Sequence, residues 1–224
     1  MLFNVLAATL NATPNVSVEA PKTFEETFID FPIVTKERLE YTQEYANMHY
    51  GMDTYYLTEP KMVVLHYTGI TTLLLSLRSF KQAEIPDFRE RLAGFGKVNV
   101  GVHFVVDRNG DIYKLLPTNI MGRHVVGFNH VSIGIENVAD YADHLSPEQV
   151  KANVKLVAYL KEKHPSIEHM IGHIEYMHIK APHFKYHKEL IKEYEPPIKI
   201  DPGWEFMKAV RRLLYRDHQI TLKK

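Results

Sequence analysis

An α/β domain is the fold class that this 224-residue sequence predicts: one mixed central sheet flanked by helices, with an irregular N-terminal arm. Three observations carry that reading. Short apolar runs of strand length recur along the chain, helix-forming segments alternate with them, and an Asn-Gly pair between two of the runs marks a hairpin. Residues 1–34 read as the arm, 35–214 as the domain and 215–224 as a polar tail.

In chain order, the first segment, residues 1–12, is apolar and ends in small residues. It matches the core of a secretory signal but lacks the positively charged start, so it reads either as a signal remnant or as an arm packed on the domain. Residues 13–34 carry Pro14, Pro21 and Pro32 among polar and acidic residues, an irregular lead-in. Thr35 to Tyr50 has no Gly or Pro and is rich in helix formers, and Gly51 stands where a helix stops. Met62-Val63-Val64-Leu65 is a buried-strand run that leads into His66-Tyr67-Thr68. A Leu-rich helix over 71–80 follows Gly69.

Val100 to Asp107, Asn109-Gly110 and Ile112 to Leu116 form the hairpin, since Asn-Gly suits a turn with positive φ. Val131 to Val138 is a further buried strand. Ser146-Pro147-Glu148-Gln149 is a capping box with Pro at the first helical position, and Val150, Val154, Val157 and Ala158 put one apolar face on the helix that follows. Met170-Ile171-Gly172-His173 is a short strand end. Residues 174–198 have no clean period and read as a long loop with one helical turn. After Asp201-Pro202-Gly203, the positions of Trp204, Met207, Val210, Leu213 and Leu214 mark a terminal amphipathic helix.

Composition narrows the function. Lys+Arg and Asp+Glu are equal at 27 each, which removes the electrostatic case for a nucleic-acid partner. No apolar run reaches the length of a membrane span. With no cysteine, disulfides and thiol nucleophiles are excluded, and a metal site must be built from imidazole and carboxylate. There are 13 His, ten of them between His103 and His187.

Catalytic zinc commonly takes three protein ligands and keeps a fourth position open. His66 and His173 each follow a strand-like run, and Asp201 precedes a Pro-Gly turn, so the three make a plausible set. The residues alone do not single it out among 13 His. His173 and His178 are five apart, which does not place them on one helical face. His183 and His187 read as a solvated loop with adventitious metal affinity. His49, His130, His144, His164, His169 and His218 have polar or loop contexts and read as surface or capping residues. His103 reads equally as a hydrogen-bonded buried imidazole or a catalytic one, and His124 as the rim of a cleft.

Glu136 is a carboxylate inside an apolar strand: either Asn137 or Arg123 partners it, or it is poised as a general base. Lys199 would share a side with Asp201 if that segment is extended, and without further context it reads as a solvated lysine.

Together these segments resemble the zinc-dependent N-acetylmuramoyl-L-alanine amidases of the type 2 amidase and peptidoglycan-recognition-protein superfamily. The resemblance covers about 35–214 and runs through Val64-Leu65-His66-Tyr67-Thr68 and Asn99 to Asp107 with Asn109-Gly110. It continues through Arg123-His124, Gly127-Phe128-Asn129-His130, Ser132 to Asn137, Ile171-Gly172-His173 and Lys199 to Gly203. It implies zinc on His66, His173 and Asp201, Glu136 as catalytic acid/base, Lys199 as oxyanion stabiliser, and His124 and Asn129 lining the substrate side of the cleft.

The implied substrate is peptidoglycan or a muropeptide, met by a monomer in the cell envelope, periplasm or exterior, or in cytoplasmic muropeptide recycling. A recognition module that binds without cleaving, and a zinc peptidase acting on the stem peptide, are the alternatives. Two departures stand out. Some branches carry a catalytic tyrosine where this chain has Val102, and the 28-residue step from His173 to Asp201 is long for compact members.

Overall fold

The computed structural model describes residues 22–224. A six-stranded mixed sheet forms its centre, with strands β1 (Ile29–Asp30), β2 (Met62–Tyr67), β3 (Phe104–Val106), β4 (Ile112–Lys114), β5 (Ser132–Asn137) and β6 (His169–Gly172). Their order across the sheet is β1-β4-β3-β5-β2-β6. The strands β3, β5, β2 and β6 pair in parallel, while β3 and β4 form the antiparallel hairpin expected from Asn109-Gly110. Gly110 has φ 91°, the left-handed conformation that the turn requires.

The helices follow the sequence closely. Helix α1 (Lys36–Tyr50) is capped by the Thr35 side chain and stopped by Gly51 at φ 62°. Helix α2 spans Leu73–Lys81, a single turn α3 spans Glu90–Ala93, α4 spans Pro147–Lys163 and α5 spans Trp204–His218. The capping box at Ser146 forms in both directions: the Ser146 hydroxyl accepts from the Gln149 N–H, and the Gln149 side chain accepts from the Ser146 N–H.

The period-2 alternation of side chains gives the sheet two different faces. Val63, Leu65, Ile133, Ile135 and Met170 join Leu156, Val157 and Leu160 of α4 and Met207, Val210 and Leu214 of α5 in the main core. Each fully buried Leu or Val there is worth ~1.5–3 kcal/mol of transfer free energy. Met62, Val64 and Ile171 face the other way, against Val125, Phe128 and Tyr176 from loops. Next to them on the same face, Val105 packs against Leu77 and Phe80 of α2, and the groove opens at the carboxyl ends of β2 and β5.

At both ends of the domain the structure shows contacts that the sequence reading did not name. Within the arm, the stretch from residue 22 onward docks on the domain. Phe28 packs edge-on against Phe104, Phe24 against Tyr159, and Ile29–Asp30 pairs in parallel with Tyr113–Lys114. Two aromatic anchors four residues apart were hidden among the acidic residues. The signal-like residues 1–12 lie outside the described part. At the other end α5 continues to His218, and the stretch read as a polar tail is held down. Leu222 is buried, the Met170 N–H donates to the Lys223 carbonyl and the Lys223 N–H to the Glu168 carbonyl. This segment covers the free edge of β6, the kind of edge that otherwise invites pairing with another chain.

Candidate metal and catalytic site

Parallel pairing of β2 with β5 sets His66 directly beside Glu136. The two side chains therefore leave the sheet on the same face, next to each other, from segments 70 residues apart in sequence. His173 begins the turn that follows β6, the strand on the other side of β2. Asp201 reaches the same point from the loop before α5, where its carbonyl accepts from the Ile174 N–H at 2.7 Å.

Three donor atoms meet there. His66 Nδ1 and His173 Nδ1 are 2.9 Å apart, and Asp201 Oδ2 lies 3.3 Å from the first and 3.1 Å from the second. Among the described residues this is the one group of three or more His, Asp and Glu side chains close enough to hold a metal ion together. All three residues are buried. Burial lowers the pKa of His173 to about 4, so that it is neutral with a free lone pair at neutral pH. Burial alone would raise the Asp201 carboxyl, but the close approach of the His173 and His66 imidazoles holds it well below the usual carboxylate range. Neutral imidazole and ionised carboxylate are the forms that ligate zinc. Tetrahedral zinc with bonds of about 2.0–2.1 Å places its ligands roughly 3.3 Å apart, close to the separations found here. The donor set fits the ion.

Glu136 has neither of the partners the sequence offered it. Arg123 spends its guanidinium on the carbonyls of Leu92, Phe95, Gly96 and Val98. Asn137 donates to the His66 carbonyl and accepts from Asn153. Glu136 Oε2 is buried with no hydrogen-bond partner. Desolvation pushes the carboxyl up to about 7, against the opposing charge of His66 and Lys199. Glu136 and Lys199 both line a cavity of about 310 Å³ together with His66, His124, His173 and Asp201.

His124 sits inside this constellation. Its Nδ1 is 3.1 Å from His66 Nε2, and its ring lies over Gly134 of β5. Asn129 borders the neighbouring cavity but is itself buried. Its Oδ1 accepts from the N–H groups of His124 and Val125, and its Nδ2 donates to Tyr45 Oη, so Asn129 shapes the loop that presents His124.

Several histidines depart from the sequence reading. His49 and His169 are fully buried, not surface residues. His49 contacts the Glu189 carboxylate through Nδ1 at 2.8 Å and the Phe95 carbonyl through Nε2 at 2.9 Å. His183 is also buried and bonded to the Tyr176 carbonyl, because residues 182–186 form a 3₁₀ turn packed on Phe128 and not a solvated loop. His103 is a brace: Nε2 donates to the Ile120 carbonyl and Nδ1 accepts from the Gly134 N–H.

Two further devices have no local signature in the chain. Glu175 accepts from the Gly172 N–H at 2.9 Å and is clamped by Arg211 of α5, which steadies the strand end that carries His173. The long loop that ends at Lys199 is pinned across the groove by the Phe95–Tyr194 stack, by Arg91 donating to the Glu195 carbonyl, and by Glu189 on His49. Helical spacing to an Arg in α5 and the aromatics of residues 194 and 95 were the available signals, but each acts over a long sequence separation.

One imidazole from β2, one from the turn after β6 and a carboxylate from the loop before α5 thus meet on an α/β sheet, beside a half-buried carboxyl and a lysine, as a set that could hold a metal ion. The family model for N-acetylmuramoyl-L-alanine amidase matches residues 56–203, and the chain belongs to that family. Among solved structures, the chain resembles the amidase LysC of Clostridium intestinale URNW at 21% identity and TM-score 0.45, over 70% of this chain and 87% of that one. It resembles a selenomethionine AmpD derivative at 21% and 0.49, over 71% and 89%. A peptidoglycan recognition protein-LE bound to tracheal cytotoxin matches at 21% and 0.43, over 57% and 76%. No curated protein sequence matches the chain.

Proposed function

We propose that this protein hydrolyses the amide between the lactyl group of N-acetylmuramic acid and L-alanine in peptidoglycan or muropeptides, with zinc on His66, His173 and Asp201. The observation that carries the reading is the meeting of two imidazoles and a carboxylate within 2.9–3.3 Å, next to the half-buried Glu136, whose buried Oε2 has no partner of its own. When bound, the ion supplies Lewis-acid polarisation of the scissile carbonyl and eases deprotonation of the attacking water.

The protein's own groups do the rest. Glu136, whose carboxyl desolvation pushes upward, would take the proton of the attacking water and return it to the leaving amine. Val102 stands where other branches carry a tyrosine, which leaves proton transfer to Glu136. Lys199 faces the developing oxyanion, where fixed positive charge acts most strongly. His124 borders the substrate side of the groove, and Asn129 acts there through the loop it holds. The complete ligand set, with Glu136 and Lys199 in place, favours cleavage over recognition without cleavage.

The test is mass spectrometry of a defined muropeptide after incubation with the zinc-loaded full chain. One water should be added across the muramoyl–alanine bond, freeing a peptide with L-alanine at its amino end. Cuts within the stem peptide, or binding of muropeptide that stays intact, would overturn the proposal.

A further inference from the structure

His66 offers its two ring nitrogens to different partners. Nδ1 faces His173 and Asp201, while Nε2 is 3.1 Å from His124 Nδ1. The second nitrogen of His124 is 3.3 Å from the hydroxyl of Ser132, a buried residue at the start of β5. An imidazole that ligates through Nδ1 carries its proton on Nε2 and, when buried, needs an acceptor for it. His124 Nδ1 is that acceptor. His124 must then hold its own proton on Nε2, directed at Ser132 Oγ.

We infer that His124, oriented by Ser132, is the positioning residue that fixes the metal-facing tautomer and ring angle of His66. The inference rests on the zinc reading above.

The fold makes room for this contact at a glycine. A Cβ on Gly134 would lie 2.8 Å from His124 ring atoms, so a side chain there would push the imidazole off His66. The missing side chain at Gly134 leaves the space that the His124 ring occupies. From the other side, Asn129 Oδ1 holds the His124 backbone N–H at 2.9 Å. Ligand histidines usually hand their outer proton to a carboxylate, carbonyl or water. A neutral imidazole in that place adds no negative charge beyond Asp201, which keeps the centre more electrophilic toward a carbonyl.

The experiment compares the full chain with His124→Leu, His124→Asn and Gly134→Ala. Zinc affinity is measured by competition with a chromophoric chelator, and the His66 tautomer by ¹⁵N NMR of the metal-free proteins. In the parent, His66 should be protonated on Nε2. In His124→Leu the acceptor is gone, so the proton should move to Nδ1, toward Asp201, and zinc affinity should fall by about 10–100-fold. Gly134→Ala should weaken zinc in the same direction. His124→Asn, whose amide oxygen can accept in place of Nδ1, should restore most of the affinity and the Nε2 tautomer.

Parent-like zinc affinity and an unchanged tautomer in His124→Leu would overturn the inference. So would equal loss in the Leu and Asn variants, since packing and not the hydrogen bond would then be responsible. If the parent itself takes up no zinc, the metal reading falls, and the metal-free tautomers still decide the role of His124.

Discussion

His103 makes the domain sensitive to acid in a way that can be calculated. The residue is fully buried, and its two hydrogen bonds demand the neutral form: Nε2 donates to Ile120, while Nδ1 must stay bare to accept the Gly134 N–H at 3.0 Å. Burial lowers its pKa from the ordinary 6.5 to about 4. Between these values the unfolded chain binds a proton that the folded chain refuses. Stability from this group is therefore complete above pH 6.5 and is lost as pH falls toward 4. Linkage gives a loss of about 2 kcal/mol between pH 7.5 and 5.0, and about 3 kcal/mol once the pH is well below 4.

His173 and His130, both also lowered to about 4 by burial, titrate in the same window, so the informative quantity is a difference. Urea unfolding of the metal-free parent and of His103→Gln should be run at pH 7.5 and 5.0. The glutamine variant should be less stable at pH 7.5, but its further loss at pH 5.0 should be smaller than the parent's by about 2 kcal/mol. If the two proteins lose the same stability on acidification, His103 is not held neutral by its partners and the reasoning fails.

Other expectations concern chemistry and packing. Glu136→Gln preserves size but cannot accept a proton, so turnover on a muropeptide should drop by on the order of 10²–10⁴-fold while zinc content by elemental analysis is unchanged; parent-like turnover would remove Glu136 from the reaction. Arg211→Met strands the buried Glu175 carboxylate and should cost about 3–5 kcal/mol in urea unfolding, with much of that recovered in the Glu175→Leu, Arg211→Met double variant. Ser146→Ala breaks the capping box of α4 and should cost about 1 kcal/mol by the same measurement, with little change in turnover.

Most of the regular elements of this protein were legible in the sequence alone, the short β1 and α3 excepted. Apolar runs, the Asn109-Gly110 turn, the Ser146 capping box and the spacing of Met207, Val210 and Leu214 are local signals, and they predicted strands, hairpin and helices within a few residues of where they lie. Family resemblance marked the candidate site residues one by one. The tertiary structure decided who meets whom. That His66 stands beside Glu136 follows from the register of a parallel pair across 70 residues, which no local period encodes. The same holds for the contact of His124 with His66 over Gly134, the isolation of Glu136 Oε2, and the clamp of Arg211 on Glu175. Polar context misled at His49, His169 and His183 because burial is a property of what packs above a residue, not of its neighbours in the chain. Periodicity reports which face of an element turns inward; only the closed fold places one inward face against another and so determines which ionisable groups lose water, share protons or converge on an ion.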